Sequence, residues 1–294
     1  MNLDKCSNLD CVYLLGSNVE DSLSPIIHKK IYDYLGINLD YVSKTIKNES
    51  ALSEFVKFKI NNFCFASNVT YPYKGCILNI FGNRAKLNDA VLVSKGANLI
   101  LSKSENLQLY NFDGEGFLHY LNYIGCSVRN KKILILGTGS TASSIGLSLI
   151  KAGGDVSFSS RNKKTSKLDM SFFCNTLIYE YSNIKDIISN LDIIINATPV
   201  GGEIDDSNVD LVPKDILSMA KRCLTCFDVS YKSNTKFLSN SHEVGLCAHN
   251  GLGMLVSQAV LCILKIIDFF ELKTNNKLEF NCLFKKGLSS LCNI

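Results

Sequence analysis

The chain reads as an α/β protein with two lobes, the first a mainly parallel α/β lobe and the second built on a continuous parallel sheet. Three observations predict this. At 294 residues the chain exceeds one ordinary domain. Strand-like and helix-like segments alternate in two separate sets, the order expected of parallel sheets. In the second set the strands are unbroken apolar runs, as when both faces of a sheet are covered.

In the first set, "CVYLLG" (11–16) predicts a strand and "SPIIHKKIYDYLG" (24–36) a helix. Ser24 can cap that helix, Pro25 sits at the first helical position where its missing N–H costs nothing, and Gly36 ends it. A strand over 39–46, a helix over 49–60 and an apolar strand at 62–66 follow. Residues 75–112 are less regular, with a hairpin of "NLILSK" and "LQLYNF" around "SKSEN". The second set comprises strands at 131–137, 155–160, 191–198 and 225–230, with helices at 140–152 and near 183–189. The apolar run from Leu252 to Phe270 contains Ser257, Gln258, Lys265 and Asp268, which predicts a buried amphipathic helix rather than a membrane span.

Composition narrows the function. With 46% hydrophobic and 20% charged residues the chain is globular rather than disordered. A net charge of +4 without a basic run interleaved with aromatics argues against nucleic acid as a partner. The polar start "MNLDKCSNLD" lacks an apolar leader, so the 12 cysteines are expected as free thiols in a reducing cytoplasm. Cys223 and Cys226 form a C-x-x-C with no second pair and no histidine at ligand spacing, and no metal is expected. His28 reads as a packing residue, and His119, His242 and His249 have no metal spacing. There is no G-x-S-x-G elbow of an α/β hydrolase.

"LILGTGSTASS" places Gly137, Gly139 and Ala142 in G-x-G-x-x-A spacing between a strand and a helix. Gly137 permits the tight turn, Gly139 lets the backbone approach a pyrophosphate, and Ala142 allows close helix–strand packing. The helix N-terminus then offers N–H groups and partial positive charge to phosphate. This predicts a Rossmann-like nucleotide-binding lobe, with Thr138, Ser140 and Thr141 in the same turn. The second strand ends in "SSRNKK", with no acid to hold a ribose hydroxyl. Arg161, helped by Lys163 or Lys164, can pair with a 2′-phosphate instead, which favours NADP(H) over NAD.

"SNVTYPYKG" (67–75) raises the question of proton chemistry. In hydride transfer between a nicotinamide and a carbonyl–alcohol pair, a lysine can donate to the developing alkoxide while a carboxylate orients it. Lys74 is the lysine candidate and Asp113, in "YNFDGEG", the carboxylate. Read from the residues alone, Lys74 is either a surface charge or a catalytic one, and spacing does not pair it with Asp113.

Further motifs decide the matter by likeness. "GSNVEDSLSPIIH" carries Ser22, Ser24 and Pro25; "NVTYPYK" carries Asn68, Thr70, Pro72 and Lys74; "GANLI" carries Asn98 and "NFDG" Asp113. "DIIINATPVGG", "FDVSYKSNTKFL" and "NGLGMLVSQA" follow. In these motifs, and over most of its length, the chain resembles the shikimate dehydrogenase family. The resemblance implies a two-lobed enzyme that interconverts 3-dehydroshikimate and shikimate with NADP(H), in aromatic amino acid biosynthesis. It implies Lys74 and Asp113 at the reacting oxygen, and Ser22, Ser24, Asn68, Thr70, Asn98, Tyr231 and Gln258 around the substrate. The implied cofactor contacts are residues 137–142 with Ser160, Arg161, Lys164, Ala197, Thr198, Val229, Gly251 and Met254, the last as packing beside the nicotinamide. The expected substrate domain is 1–112 joined by the helices of 251–294, and the nucleotide domain 113–250, with the ligands at the carboxyl ends of the strands near the lobe junction. A small-molecule substrate, no membrane partner and a monomer or homodimer are expected.

The chain departs from the family pattern at Asp21, Leu99 and Phe112, where the family has a histidine and two threonines, and at Ser160 and Asn162 around Arg161. A lost threonine hydroxyl removes about 1 kcal/mol of net hydrogen bonding. These positions bear on substrate affinity, quinate tolerance and cofactor preference. The alternatives are an NAD-dependent quinate/shikimate dehydrogenase and a catalytically silent metabolite- or NADP-binding regulator.

Overall fold

The computed structural model describes residues 9–162, 166, 168–200, 209–231 and 235–291. It comprises two compact units, Met1–Gly116 with Val256–Ile294, and Phe117–Leu255. The first begins β1 (Cys11–Gly16), α1 (Ser24–Leu35), β2 (Asp40–Thr45), α2 (Glu49–Asn62), β3 (Phe65–Val69) and α3 (Lys74–Phe81). It continues through β4 (Lys86–Leu87), α4 (Asp89–Ser94), β5 (Leu99–Lys103), β6 (Asn106–Tyr110) and the start of α5 (Asp113–Tyr123). The strand order is β2-β1-β3-β5-β6-β4. β1 runs parallel to β2 and β3, whereas β5 is antiparallel to both β3 and β6.

Helix α1 buries Ser24, Ile27, His28, Ile31, Tyr32 and Leu35, the three-and-four spacing of one helical face. Its start differs from the expectation. Leu23 occupies the cap and Ser24 is the first helical residue, because Ser24 is buried rather than turned back on the helix amides. Ser22 Oγ accepts the Ser24 N–H instead, at 3.3 Å. β3 also lies three residues beyond its expected start: α2 continues to Asn62, and Phe63 closes it by donating its N–H to Lys59 O. The strand therefore includes Asn68 and Val69, which pair with β1. Lys74 opens α3 rather than lying in a loop. The expectation overlooked α3 and α4, at eight and six residues too short for a periodic signal.

The second unit contains β7 (Lys132–Leu136), α6 (Ser140–Lys151), β8 (Asp155–Ser160), β9 (Ile178–Glu180), α7 (Ile184–Ile187) and β10 (Ile193–Asn196). α8 (Lys214–Leu217), β11 (Thr225–Asp228), α9 (Lys236–Glu243) and β12 (Cys247–His249) follow. All neighbouring strands are parallel, in the order β12-β11-β10-β7-β8-β9. The order reverses between β7 and β10, where open α/β sheets bind ligands at the strands' carboxyl ends. Leu134, Ile135, Ile194 and Ile195 are fully buried, as both-face coverage requires.

α10 (Leu252–Phe270) and α11 (Phe280–Ser289) complete the chain. α10 is long and apolar enough to cross a membrane by length and composition, but 61% of its most apolar window is buried in the protein. In the first unit Cys262, Ile266 and Phe270 of this helix pack on Val12, Ala66, Leu99, Leu101 and Phe112. The opposite sheet face packs Leu15, Phe65, Val69, Ile100 and Leu109 with Leu52 and Val56 of α2 and Ile77 of α3. Burial of each large apolar side chain contributes roughly 1.5–3 kcal/mol.

His28 lies within this interior at 1% exposure. Its Nδ1 donates to Ser24 O at 2.8 Å, its ring stacks on Tyr41 at 3.8 Å, and Nε2 has no hydrogen-bond partner among the described residues. Burial holds its pKa down to about 4, against about 6.5 when unfolded. The unfolded chain therefore binds the extra proton first as pH falls. Stability present above pH 6.5 is lost progressively towards pH 4, by on the order of 2–3 kcal/mol. Chemical denaturation at pH 7 and pH 4.5 should reveal this loss, and His28→Phe should reduce the difference between the two.

Candidate active site

A buried carboxylate is the centre of the site in the first unit. Asp113 begins α5 at 4% exposure, and its Oδ2 lies 2.5 Å from Lys74 Nζ. Its Oδ1 accepts from Asn98 Nδ2 at 2.9 Å, and its own N–H donates to Asn111 Oδ1 at 3.0 Å. Lys74 is held from the other side: its backbone carbonyl accepts from Ala97 N–H at 2.9 Å, and the preceding Tyr73 hydroxyl donates to Ile46 O at 2.8 Å. The side chain of Lys74 keeps 20% exposure. The pair thus presents its cation outward and hides its anion, the polarity needed to donate a proton to a bound oxygen.

Asn98 connects the pair to β3. Its Oδ1 accepts from Phe112 N–H at 3.1 Å, and its backbone oxygen accepts from Asn68 Nδ2 at 3.1 Å. Asn68 Nδ2 also donates to Cys262 Sγ at 3.2 Å, and Asn68 Oδ1 accepts from the Tyr41 hydroxyl at 3.1 Å. Both amide hydrogens of Asn68 are therefore used inside the protein, which leaves it an acceptor for substrate but no donor. Cys262 is fully buried, and burial pushes its thiol up to about 12. It stays protonated and adds no charge beside Asp113.

The other expected substrate residues of the first unit lie on neighbouring elements. Thr70 follows β3, and Gly16 at the end of β1 is needed beside it: a Cβ there would lie 2.5 Å from Thr70 Cγ2. Ser22 and Ser24 sit between β1 and α1, and a chain of contacts runs from Ser24 through His28 and Tyr41 to Asn68. Gln258 on α10 lies against Gly116 of α5, where a Cβ would be 2.7 Å from its backbone nitrogen. Leu99 and Phe112, in place of hydroxyls, are buried in the apolar layer under α10, with Phe112 stacked on Tyr110. Asp21 is exposed. Sequence reasoning missed Tyr41 and Cys262 as supports of Asn68, since only the fold joins them. Asn111, whose Oδ1 accepts the Asp113 N–H, had an available signal: an asparagine two residues before a helix start.

In the second unit the expected cofactor residues gather at the ends of β7, β10 and β11. Gly137 adopts φ +102°, and a Cβ there would be 3.0 Å from Thr198 Cγ2 and 3.2 Å from Ala197 O. Gly139 caps α6 without a side-chain hydrogen bond, and a Cβ on it would meet nothing within 4 Å. Ala142 is fully buried. Arg161 is exposed directly after β8, while Ser160 Oγ donates to Asn162 O at 2.8 Å. Lys163 and Lys164 lie outside the described residues. Gly251 has no alternative, because a Cβ would lie 2.1 Å from Val229 O. Met254 is buried and Tyr231 half-buried.

A network the sequence did not reveal fixes these ends. Thr198 donates through both N–H and Oγ1 to Asn196 Oδ1, at 3.1 and 2.7 Å. Asn196 Nδ2 donates to Asp228 Oδ2 at 3.0 Å, and Thr235 Oγ1 donates to the same oxygen at 2.6 Å. Asp228 is 2% exposed, and burial raises its pKa against the lowering by these donors.

Sheet order, glycine turn and charged pair together define a two-unit α/β protein with the parts of a nicotinamide-dependent oxidoreductase. The description "Shikimate dehydrogenase substrate binding domain" matches residues 14–92. A relative named shikimate dehydrogenase (NADP(+)), from Caldicellulosiruptor saccharolyticus, is 32% identical over 85% of this chain and 89% of its own. Another of that name from Methanococcus vannielii is 30% identical over 92% of this chain and 93% of its own. The crystal structure of shikimate dehydrogenase 1 from Peptoclostridium difficile superposes with TM-score 0.78 at 26% identity, over 96% of this chain and 99% of that one. The Thermus thermophilus enzyme in complex with NADP(H) and shikimate shares the fold at TM-score 0.78 and 22% identity, over 96% of this chain and all of that one. The chain belongs to the shikimate dehydrogenase family.

Removing the Tyr41 hydroxyl should cost about 1 kcal/mol of stability through the lost bond to Asn68. Denaturant unfolding of Tyr41→Phe measures that. The His28 stack survives in this variant, so a loss above roughly 3 kcal/mol would contradict the assignment.

Proposed function

We propose that the protein is an NADP-dependent shikimate dehydrogenase, interconverting 3-dehydroshikimate and shikimate, with Lys74 and Asp113 managing the proton at the reacting oxygen. The observation that carries this reading is the 2.5 Å contact between Lys74 Nζ and the buried Asp113, in a chain of this family. In the reductive direction the ketone oxygen gains negative charge, and the Lys74 ammonium donates its proton there. Asp113 orients Lys74, and Asn98 fixes the carboxylate by holding its other oxygen. In the oxidative direction Lys74 accepts the hydroxyl proton. Thr70, Asn98 and Gln258 are assigned to the substrate's hydroxyl edge, and Ser22 and Ser24 to its carboxylate. Asn68 is assigned to the same set as an acceptor, and Tyr231 as a further substrate contact.

The second unit fits NADP(H). A glycine at the start of α6, with space above it among the described residues, and exposed Arg161 after β8 suit a pyrophosphate and a 2′-phosphate. When bound, NADP(H) would bring the hydride chemistry; residues 137–142 would hold its diphosphate, Arg161 with Ser160 and Lys164 its adenosine end, and Ala197, Thr198, Val229, Gly251 and Met254 the remainder. The first unit accordingly takes the substrate and the second the cofactor. The described cysteines are free, which supports a cytoplasmic setting.

Nicotinamide reduction with shikimate, with NADP and NAD offered in parallel, tests the reading. Turnover with NADP is the expected result; a folded protein without turnover on either cofactor would overturn it. Lys74→Ala should lower kcat by about 10²–10⁴-fold. Because it also leaves Asp113 without its cation, Asp113→Asn serves as the second, near-isosteric variant and should lower kcat while retaining the melting temperature more closely. Arg161→Ala should raise KM for NADP by roughly tenfold or more and leave KM for NAD nearly unchanged.

A further inference from the structure

A second cluster of reactive side chains lies in the second unit and takes no part in the chemistry above. Cys247 opens β12, the edge strand of the parallel sheet, and is exposed. Its Sγ lies 3.3 Å from His249 Nε2, and His249 Nδ1 lies 3.3 Å from the Tyr120 hydroxyl. The imidazole is clamped rather than free. It stacks on Phe227 at 5.0 Å and 14°, and Tyr120 packs edge-on to both rings. Tyr120 is seated in turn by Gly253, where a Cβ would lie 2.2 Å from its ring. Thiol, imidazole and hydroxyl thus line up in the order nucleophile, base and orienting group.

We propose that Cys247 is a base-assisted nucleophilic thiol and a site of modification by small disulfides, with His249 as its base and Tyr120 as the positioning residue. The thiol proton passes to His249 Nε2 as Sγ attacks one sulfur of the disulfide. The Sγ–S bond forms, the original S–S bond breaks, and the departing thiolate takes the proton back from the imidazolium. The products are one mixed disulfide and one thiol. The disulfide is the only oxidant required. Tyr120 serves the transient imidazolium, because its oxygen can accept the Nδ1–H that the charged ring carries.

The groups facing the imidazole favour a neutral resting base. Burial lowers the pKa of His249, the electrostatic influence of His242 on α9 lowers it further, and Tyr120 from α5 brings no charge. A neutral base that takes the proton during attack predicts a rate that hardly changes once the imidazole is deprotonated. An exposed thiol without such a base follows its own thiolate fraction. Cys174 and Cys223 are exposed cysteines of the same chain and serve as internal controls.

The test is the rate of mixed-disulfide formation with glutathione disulfide, read at each cysteine by peptide mass. Cys247 should react about tenfold or more faster than Cys174 and Cys223 at pH 7, and its rate should change less than about twofold between pH 7 and 8 while the controls rise roughly tenfold. His249→Asn should remove most of the advantage, and Tyr120→Phe part of it, with the control rates unchanged. Near-UV circular dichroism of each variant checks that it is folded. Should His249→Asn fail to fold, the pH profile of the unaltered protein decides alone. A Cys247 rate within about twofold of the controls, or one that climbs with pH as theirs do, overturns the proposal.

Discussion

The first unit depends on the side chain and peptide of Asn98. This residue is 3% exposed and joins four elements. Its N–H donates to Tyr110 O and its carbonyl accepts from Val69 N–H, which tie β6 and β3 to the start of β5. Its side chain then accepts from Phe112 N–H and donates to Asp113, so the amide that closes the sheet also positions the carboxylate at the head of α5. A buried polar group is costly when unpaired and cheap when paired. The fold and the site therefore rest on the same set of bonds, and a substitution at Asn98 damages both.

The second unit solves the same problem with a charge. Asn196 and Asp228 end adjacent parallel strands in register, Asn196 opposite Asp228. The carboxylate is nine-tenths removed from water or more, yet both oxygens have donors: Ser230 N–H on Oδ1, and Asn196 and Thr235 on Oδ2. These bonds fix where the chain leaves β10 and β11, and so where Thr198 stands over Gly137. Desolvation and hydrogen bonding oppose each other at Asp228, and desolvation dominates. In each unit, then, a buried amide–carboxylate pair sits at strand ends, where backbone groups leave the ladder and need partners.

What was legible in the sequence followed from chemistry carried by short, contiguous stretches. The glycine turn, the run of apolar strands and the start of α10 each announce themselves within about a dozen residues. Lys74 and Asp113 were legible as candidates through their motifs, but their contact spans 39 residues and has no local signature. Asn68 carries the same lesson. Its place in a strand was hidden because polar residues usually end strands; here three internal bonds satisfy it within β3. Tyr41 and Cys262 were invisible for a plainer reason. Each reaches Asn68 from an element whose sequence reports only its own amphipathic pattern. Cys247 and His249 stand two residues apart in "CAH", but their placement on one strand and the approach of Tyr120 from α5 have no local signal.

The departures at Leu99 and Phe112 gain a physical meaning from this arrangement. Both face the apolar layer beneath α10, and Phe112 lies parallel to Tyr110 at 5.5 Å. Asp113, which follows Phe112, is itself only 4% exposed. A lower local dielectric strengthens its attraction to Lys74 and raises the cost of leaving it charged without a partner. Asn98 Nδ2, which donates to Asp113 Oδ1, is a neutral amide that holds position but releases no proton. Cys262, the neighbouring thiol, is kept protonated by its burial. Burial and the charged pair are complementary features: without the pair, burial would destabilise the carboxylate, and without burial the pair would be a weakly bound surface contact.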